Sequence, residues 1–157
     1  MIIKSSQFID GDPIPQNYTC EGQDVPPPLA WDFVPKDAEA LALIVDDPDA
    51  PDPEAPTRTY VHWVLYDIPP ETTGLDGKGR ELPRGTREGL NDWNRTGYGG
   101  PCPPKGRHRY FFKLYALDTQ LGDLGRPTKR QLLEAMQKHI LEEARMVGTY
   151  EKAKRSS

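Results

Sequence analysis

The placement of proline and glycine constrains this chain more than any other feature. It holds 17 prolines and 14 glycines, and six of the former and nine of the latter crowd into the 39 residues from 69 to 107, a span with no sustained hydrophobic period. Proline inside a helix removes a hydrogen bond and collides with the preceding turn, and glycine there carries an entropic penalty. Such a chain is a poor helical bundle and a good loop-rich β domain. A stretch this long without secondary structure is commonly functional unless short strands hide within it. At 157 residues the chain is long enough to bury a core without staples, and residues 1–157 read as a single domain.

The remaining residues carry the core in blocks. Residues 40–46 (ALALIVD), 60–68 (YVHWVLYDI) and 108–117 (HRYFFKLYAL) are rich in β-branched and aromatic types, lack helical spacing and read as strands. IIKSSQFI near the start and PLAWDFV at 28–34 are weaker strand candidates. Toward the end the pattern changes. Thr128 follows Pro127 as an N-cap, and Leu132, Met136, Ile140 and Ala144 recur every fourth residue beside Leu133 and Val147, with Gly148 as a natural stop. This spacing predicts a helix reaching Gly148, with His139 packed or half-exposed on it. The expected architecture is mainly β, an antiparallel sandwich with a C-terminal α-helix and a long Gly/Pro-rich loop region.

Charge narrows the function classes. With 24 acidic against 20 basic residues, the net charge of −4 argues against a protein that neutralises nucleic-acid phosphates. Residues 126–157 do hold eight basic against four acidic groups, which reads as a solvated helix face. No apolar run approaches the length of a membrane span, and the segment MIIKSSQFIDGDPIP has no apolar leader core, so a cytoplasmic location without integral membrane association is expected. Cys20 and Cys102 show no metal spacing and neither demand nor exclude a disulfide.

Side chains two apart on a strand share a face. His108 and Tyr110 therefore lie together with Arg109 on the reverse, and Tyr60 and His62 share a face from which Trp63 points away. Were the two strands neighbours, two histidines and two tyrosines would converge. DDPDAPDPEAP at 46–56 reads as a rigid turn that sets Asp47 and Asp49 at the mouth of the first strand. A carboxylate beside a histidine fixes its tautomer and favours the imidazolium. In YGGPCPPKGRHRY, residues 98–110, Gly99 and Gly100 permit close approach and unusual φ angles. The prolines leave separated N–H donors at Gly100, Cys102, Lys105 and Gly106. Stiff backbone donors beside histidines suit a phosphate or carboxylate at low ordering cost.

Rival chemistries are weaker. Asp47, Asp49, His62 and His108 are of metal-ligand type, but no histidine pair has helical metal spacing and the proline-locked turn restrains the aspartates. No GxSxG occurs and the serines lie near the termini, against serine-triad hydrolysis. Cys102 as a nucleophile beside His108 is hard to aim between prolines. No metal and no cofactor are expected.

These motifs in this order resemble the phosphatidylethanolamine-binding protein family, and its bacterial and archaeal, Raf-kinase-inhibitor-like branch in particular. The resemblance rests on DPDAP at 47–51, HW at 62–63 and GYGGPCPPKGRHRYFFKLYALD at 97–118. IPQNYTCEGQDVPPPLAW and LLEAMQKHILEEARMVGTY extend it over nearly the whole chain. It implies an antiparallel β-sandwich with a small anion pocket at one end. By motif position that pocket would take Asp47, Asp49, Tyr60, His62, His108 and Tyr110, with the turn from Gly100 to Pro104, Cys102 and Pro103 included, as the rest of its wall and the Cys102 N–H as a donor. The ligands implied are phosphate-type groups, including phosphorylethanolamine, with the aspartates attracting the ammonium end and the histidines meeting the phosphate. One departure is the run Pro26, Pro27, Pro28 where the family often has Ser-Pro-Pro. The longer C-terminal extension of animal members, and with it their lipid-tail contacts and kinase partners, is not expected from the resemblance. Relatives in this branch suggest a homodimer, although no apolar stripe here marks an interface. The leading reading is a non-catalytic binder of small phosphorylated or anionic groups that regulates a partner. The others are inhibition of a kinase or protease through a separate surface, and metal- or histidine-dependent phosphoester hydrolysis.

Overall fold

The computed structural model describes residues 1–77 and 81–153. Eight strands and one short helix follow in chain order: β1 Ile2–Lys4, β2 Leu29–Asp32, β3 Ala40–Ala50, β4 Arg58–Ile68, β5 Gly74–Leu75, β6 Arg87–Glu88, β7 His108–Leu117, α1 Lys129–Met136 and β8 Ile140–Tyr150. A single 3₁₀ turn occupies Gln16–Tyr18. The larger sheet is ordered β6-β4-β3-β7-β8 and the smaller β1-β2-β5, and every strand pair is antiparallel.

The large sheet buries both faces, which is why β3 reads as an unbroken apolar run rather than an alternating one. Toward the small sheet, Leu41, Leu43, Val45, Phe112, Leu114 and Met146 meet Ile3, Leu29, Trp31 and Leu75. Toward the helix, Ala42, Ile44, Val64 and Tyr66 meet Leu132 and Met136. Each such fully buried aliphatic or aromatic side chain contributes about 1.5–3 kcal/mol relative to exposure. The sandwich with a helix outside it matches the architecture expected from sequence.

The C-terminal helix is much shorter than its spacing predicts. Thr128 does cap it, in a capping box with Gln131, but the helix ends at Met136 and Ile140–Tyr150 form a strand. Here a second period prevails. Ala144, Met146 and Tyr150 are buried at every even position around Gly148, and the strand satisfies the outer edge of β7 from His108 to Leu117. Gly148 is not a helix stop but a point of close approach: a Cβ there would lie 2.5 Å from Ile14 Cγ1 and 2.8 Å from Phe8 Cε2. The N-terminal segment covers the far edge of β8, with Gly11 and Ile14 donating to the Val147 and Thr149 carbonyls. His139 lies outside the helix, its Nδ1 2.8 Å from Asp118 Oδ1.

Two further differences bear on the pocket. β4 and β7 are not neighbours, because β3 runs between them and pairs with both. The acidic segment expected to be a turn from residue 46 instead continues β3 to Ala50, and the turn begins at Pro51. Within the long Gly/Pro-rich span, β5 and β6 are the strands that hide; residues 78–80 of that span lie outside the described residues.

Candidate functional site

Irregularities in the β3–β4 ladder shape the end of the large sheet. Val45 pairs with Trp63 and the next residue, Asp46, pairs with Val61, so His62 is an extra residue on β4. Asp47 then pairs with Tyr60 while Ala50 pairs with Arg58, which puts an extra residue on β3. These bulges break the simple alternation of side chains. Trp63 packs into the core between the sheets, edge-on to Tyr98 at 5.5 Å, and His62 turns edge-on to Tyr110 at 5.2 Å. His62 and His108 are thus brought to one cavity from either side of β3.

That cavity, of about 440 Å³, is lined by Asp47, Tyr60, His62, Cys102, Pro103, His108 and Tyr110 of the expected set. Pro104, the end of the expected wall, joins them, and Arg58, Trp93, Ala50 and Pro51 complete the lining and were not foreseen. Arg58 was within reach of sequence reasoning, since it precedes Tyr60 by two on the same strand. Trp93 was not: it comes from a loop shaped by the buried Asn91, whose Oδ1 accepts the Trp93 N–H at 2.9 Å and whose Nδ2 donates to the Gly97 carbonyl at 3.0 Å. Its ring meets those of Tyr60 at 4.9 Å and His62 at 5.1 Å.

Asp49 and Gly100 lie outside this lining among the described residues. The β3 bulge turns Asp49 away to Arg109, whose Nε and Nη2 donate to its carboxylate at 3.0 and 2.9 Å, with the Arg109 N–H adding a third bond at 2.9 Å. This guanidinium fork holds the Asp49 carboxyl below the usual carboxylate range against the opposing effect of burial. Gly100 spends its N–H on Asp24 Oδ1 at 2.7 Å. The glycine pair serves close approach rather than unusual φ. A Cβ on Gly99 would strike Trp93 at 2.2 Å, and one on Gly100 would strike Asp24 Oδ1 at 2.4 Å and the Tyr18 carbonyl at 2.6 Å. Cys102 is disulfide-bonded to Cys20, with Cα atoms 5.4 Å apart and a sequence separation of 82, which removes it as a nucleophile in this state.

The two histidines occupy unlike settings. His108 is fully buried, and both ring nitrogens face acceptors: Nδ1 is 2.6 Å from Asp47 Oδ2, and Nε2 is 2.8 Å from the Lys105 carbonyl and 3.1 Å from the Pro51 carbonyl. Nε2 donates to the two carbonyls, and the short Nδ1–Oδ2 contact fixes the ring on Asp47. His62 Nδ1 donates to the Gly99 carbonyl at 2.7 Å, and the Gly99 N–H returns to the His62 carbonyl at 3.0 Å. Burial pushes the His62 ring below the ordinary histidine range, against that carbonyl and the charges of Asp47, Asp46 and Asp92, so at neutral pH it is uncharged with Nε2 as an acceptor. Tyr110 is pushed far above the usual phenol range, first by burial and then by the Asp47 charge, and remains a hydroxyl. Among the described residues no cluster of three or more His, Cys, Asp or Glu side chains has metal-holding geometry.

Comparison with known proteins identifies the family of the fold. The family model of the phosphatidylethanolamine-binding proteins matches residues 4–151. A protein of Methanothermobacter thermautotrophicus, named only as a UPF0098 protein, is 49% identical over 96% of this chain and 98% of its own length. Another from Chlamydia trachomatis is 43% identical over 97% and 99%. Among solved structures, a phosphatidylethanolamine-binding protein homolog from Chlamydia trachomatis superposes with a TM-score of 0.89 at 42% identity, covering 97% of both chains. Escherichia coli YbcL, described as a member of the mammalian family, gives 0.86 at 30% identity, covering 96% of this chain and 98% of its own. The chain therefore belongs to the phosphatidylethanolamine-binding protein family, and within it resembles the bacterial and archaeal members.

Proposed function

We propose that this protein is a non-catalytic binder of small phosphoryl-bearing or other anionic groups, phosphorylethanolamine among them, and that it regulates a partner by occupying such a group. The observation that carries the reading is one cavity of ligand size that gathers a buried carboxylate–imidazole pair, a second histidine and a guanidinium between aromatic and proline walls. Its expected contacts are Asp47, Tyr60, His62, Cys102, Pro103, His108 and Tyr110. Asp49 and Gly100 support it from behind, by fixing Arg109 and the wall. His108 spends both ring nitrogens internally and the Tyr110 hydroxyl is engaged with Asp47, so Arg58 and the wall backbone are the donors left for the phosphoryl oxygens, while His62 Nε2 can accept from the ligand's ammonium.

Kinase or protease inhibition and a homodimer belong to the same proposal as its protein-level side. So does a cytoplasmic location, with the requirement that the compartment leave the Cys20–Cys102 bond oxidised. Among the described residues no helix is long and apolar enough to cross a membrane.

The test is an NMR titration of chelator-treated protein with phosphorylethanolamine, following the ring signals of the three histidines. His62 should shift and saturate while His139, placed against Asp118 away from the cavity, stays put. Silence at His62 throughout would overturn the reading, and release of inorganic phosphate abolished by His62→Ala would replace it with hydrolysis.

A further inference from the structure

Arg58 brings the only guanidinium or ammonium group to the cavity lining among the described residues. Its side chain is 55% exposed, its Nη2 lies 3.2 Å from Asp92 Oδ2, and its guanidinium carbon sits 4.9 Å from the centre of the Tyr60 ring. Asp92 does not depend on this contact for its position, because the same oxygen accepts the Val61 N–H at 2.7 Å and the Asp92 N–H donates to the Val61 carbonyl at 2.9 Å. The guanidinium can therefore leave without unmaking the loop. An exposed ion pair of this kind is weakly held, whereas a guanidinium meeting a phosphoryl group makes two parallel charge-assisted bonds.

The rest of the lining offers an anion little free positive charge. His108 has both ring nitrogens against Asp47 and backbone carbonyls and turns no free N–H to the cavity, and His62 is neutral by burial. Net attraction for a ligand's second negative charge must come from Arg58. We propose that Arg58 is a charge-selecting arm which exchanges Asp92 for the phosphoryl oxygens of the ligand and gives the site a preference for dianionic phosphate monoesters over monoanionic diesters. This rests on the phosphoryl-binding reading above and sharpens it: intact phospholipid headgroups are diesters, so soluble monoesters are the favoured class. Asp92 is the built-in competitor, and the Tyr60 ring is the platform on which the guanidinium rests when the site is empty.

The test compares phosphorylethanolamine with glycerophosphoethanolamine, which share the amine and differ in phosphate charge, by calorimetry at pH 8, where the monoester is a dianion. The wild type should prefer the monoester by about tenfold or more. Arg58→Gln should weaken the monoester about tenfold and bring the ratio toward one, with Arg58→Lys restoring part of the loss. Asp92→Asn, which frees the arm, should tighten the monoester, an effect no purely structural role for the pair would produce. If Arg58→Gln and Arg58→Lys bind both esters with the wild-type ratio, the arm is not the selector and the pocket reading stands. If the wild type binds neither ester, the phosphoryl reading falls and this assignment falls with it.

Discussion

The floor and the wall of the cavity are built by opposite means. Asp47, His62, His108 and Tyr110 stand on strands of the five-stranded sheet, each with a hydrogen-bonded neighbour on either side. The wall from Tyr98 to Cys102 has no ladder. It is tied to the segment 18–24 by the Tyr98 hydroxyl on the Tyr18 carbonyl, Gly100 on Asp24, the Cys20 N–H on the Pro101 carbonyl and the disulfide. Only the reciprocal bonds between Gly99 and His62 join wall to floor among these contacts. Floor geometry is thus inseparable from the stability of the sheet, whereas wall geometry depends on how one loop docks on another.

The strongest way to break this contrast is to remove a floor residue. His108→Ala strands a buried carboxylate at Asp47 and should cost about 3 kcal/mol or more of unfolding free energy, read as a shifted urea midpoint at constant slope. A midpoint close to wild type would show that the floor is not integral to the sheet. Next comes the wall. Opening the disulfide by paired Cys20→Ser and Cys102→Ser substitution should cost about 2–4 kcal/mol through the freed loop. It should also weaken phosphorylethanolamine binding while far-ultraviolet dichroism stays unchanged. Loss of the sheet signal together with binding would erase the distinction between the two regions.

The smallest effect sharpens the contrast at the one residue that belongs to both. Above the ordinary histidine range His62 is neutral whether folded or unfolded, so it contributes no pH dependence there. As pH falls below about 6.5 the unfolded chain takes up a proton that the buried ring refuses, and stability declines until the folded ring titrates in turn. Urea midpoints at pH 7.5 and 5.5 should therefore diverge more for wild type than for His62→Gln, and an equal divergence in both proteins would contradict the buried neutral ring.

Much of the scaffold was legible because composition and period agreed: three apolar blocks became the three central strands, and Thr128 capped a helix as its position suggested. The error at residues 140–150 arose where two periods coexist. Leu132, Met136, Ile140 and Ala144 keep a four-residue spacing across the true boundary, and the alternation of Ala144, Met146, Gly148 and Tyr150 was masked by reading the glycine as a stop. What decided between them was the open edge of β7, which is visible only once the sheet exists. The site shows the same limit. The expectation that strands β4 and β7 adjoin failed, yet their histidines still meet, since both strands flank β3 and a bulge turns His62 inward. A second bulge sent Asp49 to Arg109, and nothing in the local sequence distinguishes that fate from the one of Asp47 two residues earlier.

The link between Cys20 and Cys102 also closes the chain into a covalent ring that contains β2 through β6 and the exposed acidic corner at Pro51–Pro56. A protease that nicks the backbone anywhere inside that ring makes two ends but not two molecules. The strand bearing Asp47 and the loop bearing Pro103 stay on one particle until a reductant arrives, so the cavity's two halves can outlive a cut in the chain between them.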